Sequence, residues 1–242
     1  SASASLEVSR PQPLWSEQQP QDWWQALVVC LDDLASRIGL AEVKAIGLCG
    51  QMHGATLVDK DNQILRPAIL WNDGRCEAQC REIEARVPES RDICGNIVMP
   101  GFTAPKLLWV QQHEPDIHQR IHKVLLPKDY LRFKLTGDYA SDMSDSAGTA
   151  WLDVEKRDWN DALLTACGLG REHMPALFEG SEITGYLNDT LAGRWGMQTV
   201  PVVAGGGDNA AGAVGVGIVK PGQAMLSLGT SGVYFVAGDG YF

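Results

Sequence analysis

Positive charge is scarce in this sequence. Its 242 residues carry 20 Lys and Arg against 30 Asp and Glu, a formal net charge of −10. No basic run exceeds two residues, so the face that would bind a polyanion is missing and nucleic-acid partners are excluded. Cysteine is sparse as well. The six cysteines (30, 49, 76, 80, 94 and 167) form no C-x-x-C pair and match neither a disulfide framework nor, with the five histidines, a zinc site. Cys76 and Cys80 sit one helical turn apart, which reads as one helix face. Long apolar runs are absent: stretches such as 26–31 and 210–219 are far too short to span a bilayer, and no signal peptide opens the chain. A soluble cytoplasmic protein without a membrane partner is expected. Two common catalytic signatures are missing too. There is no G-x-x-x-x-G-K-[ST] phosphate loop and no G-x-S-x-G nucleophile elbow.

What remains is an ordinary globular composition, 45% hydrophobic and 21% charged, with enough apolar side chain for a sizeable core. Apolar spacing predicts helices over 19–40, 74–87, 105–113, 127–135, 159–167 and 210–216. Short apolar runs predict strands over 43–48, 55–58, 67–71, 123–126, 149–153, 200–204, 224–228 and 232–237. Segment 142–148 reads as a polar turn, and Lys106, three residues from Trp109, as a lysine snorkelling over a packed indole. Strands alternate with helices and hairpins, so the expected class is α/β, a mixed sheet with flanking helices. The small polar opening without an initiator Met, and a stop just past a strand pattern, read as ends cut from a longer chain.

Three glycine-bearing segments at strand ends can hold chemistry, because ligands of open α/β sheets bind there. Gly205-Gly206-Gly207-Asp208-Asn209 sets Asp208 at a helix start, where it serves either as an N-cap or as a proton acceptor or magnesium ligand. Leu228-Gly229-Thr230-Ser231-Gly232 is either a plain hairpin turn or a nest of N–H and hydroxyl groups for phosphate. Gly50-Gln51-Met52-His53-Gly54 exits a strand with groups suited to a polyol. Trp71-Asn72-Asp73-Gly74-Arg75 does likewise, offering an indole face beside a carboxylate; a core Trp followed by a turn explains it equally well.

Together these segments resemble the FGGY carbohydrate kinases, within that family most closely those acting on D-xylulose. Gly101-Phe102-Thr103-Ala104-Pro105-Lys106-Leu107-Leu108-Trp109-Val110 fits the family's first signature, and the likeness extends through Pro127-Lys128-Asp129-Tyr130 and Ser141-Asp142-Met143-Ser144-Asp145. The resemblance implies an actin-like ATPase (ribonuclease H-like) fold, with a sugar-binding lobe over 1–218 and the start of a nucleotide-binding lobe over 219–242. It makes Asp208 the general base for the C5 hydroxyl of D-xylulose. It sets Met52 and His53 in the sugar site with Trp71, Asp73 and Asn209 nearby, and gives Gly229, Thr230 and Ser231 to ATP phosphates. ATP with Mg2+ is the implied cofactor, and a homodimer a form the family adopts. Relatives acting on glycerol carry an Arg-Glu pair where Met52-His53 stands, which favours a longer ketose. The family's opening Asp-x-Gly-Thr phosphate loop does not precede Ser1, so this segment alone is expected to be a poor kinase. A kinase for ribulose or fuculose, or a non-catalytic sugar sensor, fits the same lobe.

Overall fold

The computed structural model describes residues 1–228 and 232–240. At its centre lies a three-stranded mixed sheet. Strand Pro201–Gly207 is the middle member, antiparallel to Ile183–Tyr186 and parallel to Ile46–Gly50. Helix Pro20–Ile38 precedes strand Ile46–Gly50 and opens with Pro at its first position, where no intrahelical N–H bond is lost. Its apolar side packs with Leu135, Leu187, Trp195 and Val200 into one core cluster.

The middle strand ends in three glycines, and the ladder needs them. The register runs Val202↔Ile46 and Val203↔Gly47, then slips, resuming at Gly206↔Cys49 and Gly207↔Gly50. Gly205 sits in that bulge at φ 75, and a Cβ there would lie 1.8 Å from the carbonyl oxygen of Leu48. No side chain fits. The bulge frees two carbonyls from the ladder, and the buried Arg132 of helix Pro127–Thr136 takes both. One Nη donates to Val203 O at 2.7 Å and to Thr184 Oγ1 at 2.7 Å, and the other donates to Ala204 O. Buried carbonyls need such partners, and the guanidinium's fixed fork supplies them.

The largest core cluster surrounds helix Thr103–His113, which is buried from Thr103 to Val110. This helix starts two residues earlier than the proline suggested. Pro105 occupies the first turn, where backbone N–H groups are still unpaired within the helix. Residues 142–148 are likewise not a turn but the short helix Met143–Ala147, capped by Asp142, which accepts from Ser144 N and Asp145 N. Asn160 caps helix Asp161–Ala166 in the same way. Smaller two-stranded pairings join Thr56–Val58 to Lys123–Leu125 and Ala140–Asp142 to Ala176–Phe178. Towards the end of the chain Ala224–Leu228 pairs antiparallel with Gly232–Val236. The expected strand over 149–153 shrinks to Leu152–Asp153, because Ala150 turns into the left-handed region at φ 64. Among the described residues no helix is long and apolar enough to cross a membrane, and no group of three or more His, Cys, Asp or Glu could hold a metal ion.

Candidate active site

The parallel pair Ile46–Gly50 and Pro201–Gly207 ends on one edge, with Gly50 opposite Gly207. The residues that follow each strand therefore face one another. Met52 lies against Gly207, so closely that a Cβ on that glycine would be 2.9 Å from Met52 Cγ and Sδ. Helix Asp208–Gly215 begins immediately after, with Gly207 as its cap. Asp208 is thus the first helical residue rather than the cap. Its exposed carboxylate accepts from the Asn209 backbone at 2.8 Å and more weakly from the Asn209 amide at 3.3 Å. The fold brings Met52, His53, Asp208 and Asn209 into one neighbourhood.

A cavity of about 740 Å³ opens at Met52 and His53, lined also by Asn96, Ser144, Gly148 and Arg157. Past Ser144 and Arg157 it meets a second, more apolar hollow of about 800 Å³ beside Leu48, Cys49 and Gly205. Ser144 lies in one of the segments that carry the family likeness, whereas Asn96 and Arg157 carried no local signal and reach the cavity only through the packing of the chain.

His53 has an unusual setting. Its backbone is left-handed (φ 68), its ring packs on Phe102 with centroids 5.1 Å apart, and Nδ1 lies 2.6 Å from the Gly148 carbonyl. A carbonyl can only accept, so Nδ1 carries the proton and Nε2 is left as an acceptor. Burial, aided by the nearby Lys106 charge, pulls its pKa from 6.5 down to about 4, against the opposing pull of the Gly148 bond and Asp208. The ring is therefore neutral near pH 7. Between about pH 4 and 6.5 the unfolded chain binds a proton at this site that the folded chain refuses, so His53 lowers stability as pH falls through that window. An NMR titration of the His53 ring is expected to give a midpoint near 4. A midpoint near the ordinary 6.5 would contradict the buried, neutral assignment.

A buried ionic network backs the glycine strand through Ser144. Lys128 Nζ sits 2.6 Å from Asp129, 2.7 Å from Asp142 and 3.2 Å from Asp145, and Arg132 lies 3.6 Å from Asp129. Burial opposes the Lys128 charge, but the three carboxylates outweigh it and hold the ammonium above its ordinary value. Burial raises Asp145 to about 8, against the attraction of Lys128 and with help from its acidic neighbours. The cluster thus sets three acidic side chains against two cations. It reaches the site through Asp142, which accepts from the backbone N of Ser144 at 2.9 Å and from its hydroxyl. Ser144 Oγ in turn accepts from Gly207 N at 3.1 Å.

Two other sequence-marked residues fare differently. Trp71 is half exposed, and its carbonyl is so close to Gly101 that a Cβ there would lie 3.0 Å away. Asp73 is a correction. Its carboxylate is buried and already occupied, accepting from Ser16 N at 2.6 Å and from Arg75 through both oxygens. Arg75 in turn stacks on Trp15, with its guanidinium carbon 3.6 Å from the ring centroid, and pairs with Glu17. Asp73 is a structural carboxylate that ties two loops together, not a free group in the cleft. Lys106 is also misread by its spacing: it is wholly buried, not snorkelling. Gly229, Thr230 and Ser231 lie outside the described residues.

Comparison with known proteins identifies the family. Residues 1–215 match the N-terminal domain model of the FGGY family of carbohydrate kinases. The chain is 66% identical over 236 residues to a xylulose kinase of Escherichia coli and 61% identical to one of Klebsiella pneumoniae, covering 98% of this chain and 49% of each relative. A crystal structure of a xyloylose kinase from Brucella ovis superposes with a TM-score of 0.96 at 54% identity, covering 99% of this chain and 50% of that one. The chain spans about half the length of the curated relatives it matches. Its fold is the actin-like ATPase fold of these sugar kinases. On the match over residues 1–215, the chain belongs to the FGGY family of carbohydrate kinases.

Proposed function

We propose that this chain is the sugar-binding half of an ATP-dependent ketose kinase, with D-xylulose as its substrate. In this reading residues 1–218 form the sugar lobe and 219–242 open the nucleotide lobe; the family match over 1–215 supports the division. The observation that carries the proposal is the juxtaposition of Met52 and His53 with Gly207 and Asp208, held by the Gly50↔Gly207 register. The relatives named as xylulose kinases support the choice of ketose.

The chemistry follows from the side chains. Asp208 takes the proton of the C5 hydroxyl as that oxygen bonds to the γ-phosphorus of ATP, and the bond from that phosphorus to the β–γ bridging oxygen breaks to release ADP. A positioned base of this kind contributes roughly 10²–10⁴-fold in rate. His53, neutral and with Nε2 free to accept, receives a hydrogen bond from a sugar hydroxyl. Met52 covers the carbon chain, the half-exposed Trp71 offers an indole face to C–H groups, and Asn209 donates from its amide. Gly229, Thr230 and Ser231 are assigned to the phosphates of ATP. Magnesium carried by ATP would keep most of its waters and neutralise phosphate charge; Asp208, committed as the base, is not assigned to it.

The test is an assay of the intact enzyme, this segment joined to its nucleotide-binding half, with D-xylulose, D-ribulose and glycerol. The expected kcat/KM for D-xylulose exceeds that for glycerol by about 10³-fold or more, as a site built around substrate hydroxyls discriminates strongly against analogues that lack them. A higher value for D-ribulose would keep the kinase and overturn the substrate. Sugar binding without turnover would favour a sensor.

A further inference from the structure

Lys106 is the least expected side chain near the cleft. It is wholly buried, yet among the described residues no carboxylate bonds its ammonium; Nζ donates to the carbonyls of His53 at 2.9 Å and Gly101 at 2.7 Å. An apolar residue at this wholly buried position would avoid the desolvation cost of an amine, so what the amine bonds must explain its presence. Burial also draws its pKa down to about 7, and a neutral amine would still offer two N–H donors to two carbonyls.

The carbonyl it holds belongs to a strained turn. Gly54 N bonds back to Met52 O at 2.9 Å, closing a three-residue turn with His53 at its centre and φ 68. That hand of the γ-turn is the rare one, and a non-glycine residue persists there only where its surroundings over-determine it. The surroundings are specific. Lys106 and the hydroxyl of Thr103 (3.2 Å) grip the His53 carbonyl, while the Gly148 carbonyl fixes the ring. Thr103 and Lys106 stand one turn apart on helix Thr103–His113, so a single rigid helix delivers both donors.

We propose that Lys106 and Thr103 are positioning residues that clamp the Met52-His53 turn in its strained form and so set sugar affinity from behind the site. The inference rests on the reading of His53 as a sugar contact. Without the clamp the turn relaxes and the imidazole leaves the orientation in which Nε2 faces the substrate.

The experiment is a double-mutant cycle in the intact enzyme. Lys106→Met is expected to raise KM for D-xylulose about 30-fold with KM for ATP within about 2-fold, since buried carbonyls are left unsatisfied only on the sugar side. On a His53→Ala background the same change adds less than about 2-fold, because the group it positions is gone. Thr103→Val costs about 5-fold, and Thr103→Ser, which keeps the hydroxyl, restores the wild-type value. This nearly isosteric pair carries the test if Lys106→Met fails to fold. An equal effect of Lys106→Met with and without His53, or a lowered Tm with unchanged sugar KM, overturns the clamp while leaving His53 a sugar contact. The same holds if Thr103→Val behaves like Thr103→Ser. Unchanged sugar KM in His53→Ala alone instead removes the sugar-contact reading, and the clamp with it.

Discussion

Replacing Asp208 with Ala lowers kcat of the intact enzyme by at least about 10²–10⁴-fold, while D-xylulose affinity stays within several-fold of wild type. The split follows from geometry. Asp208 begins its helix at the tip of the glycine strand, exposed, and among the described residues only the neighbouring Asn209 donates to it. It neither fills the cavity nor supports the core, so its loss removes a proton acceptor and little else. Asp208→Asn keeps the shape and loses the basicity, and is expected to be nearly as slow. A steady-state assay gives kcat, and calorimetric titration with sugar gives affinity. A variant that retained the wild-type rate would remove Asp208 from the role of base.

Lys128→Met is expected to be the most damaging single change to folding, at about 3–5 kcal/mol, the range for removing one partner of a buried ionic cluster. For a chain of this size that corresponds to a fall in Tm of roughly 6–20 °C. Among the described residues the lysine is the one group that touches Asp129, Asp142 and Asp145 together, and Arg132 is already committed to the carbonyls of the bulged strand. Without it the folded chain must protonate further carboxylates or bury unpaired charge. Unfolded carboxylates stay ionised down to about pH 4, so acid favours the folded variant, and its deficit is expected to narrow as pH falls from 8 towards 5. Thermal unfolding at the two pH values measures this. A variant with unchanged Tm, or a deficit that widened in acid, would show that the cluster does not depend on its lysine charge. Because Asp142 and Ser144 link the cluster to Gly207, a slower kcat is expected beside the lost stability.

The site was legible in the sequence where short segments carry their own geometry. Strand 46–50 and strand 201–207 each run into glycine and then a polar side chain, and in an α/β sheet such exits are where ligands sit. His53 and Asp208 are readable on that ground, whereas Met52 and Asn209 enter only through the family resemblance. The role of the glycines was not. Three in a row after an apolar run suggested a helix entrance, yet they belong to the strand, because the bulge at Gly205 leaves no room beside Leu48 O. Lys106 was misread because its spacing from Trp109 suits a snorkelling lysine as well as a buried one. What decides between them is two carbonyls, of which His53 is 53 residues away in the chain. Asp73 misled in the same manner, since the Trp71-to-Arg75 segment does not reveal that Ser16 and Arg75 occupy its carboxylate. The short elements Ile183–Tyr186 and Asp189–Trp195 left no periodic signal, being four and seven residues long.

Ligand-observed NMR on this chain without nucleotide, comparing D-xylulose, D-ribulose and glycerol, tests most directly whether the cleft between the Met52-His53 turn and Asp208 is a ketose site. Binding is expected for D-xylulose in preference to glycerol, lost in His53→Ala and retained in Asp208→Ala. Equal binding of all three sugars, or D-xylulose binding that survives His53→Ala unchanged, would contradict it.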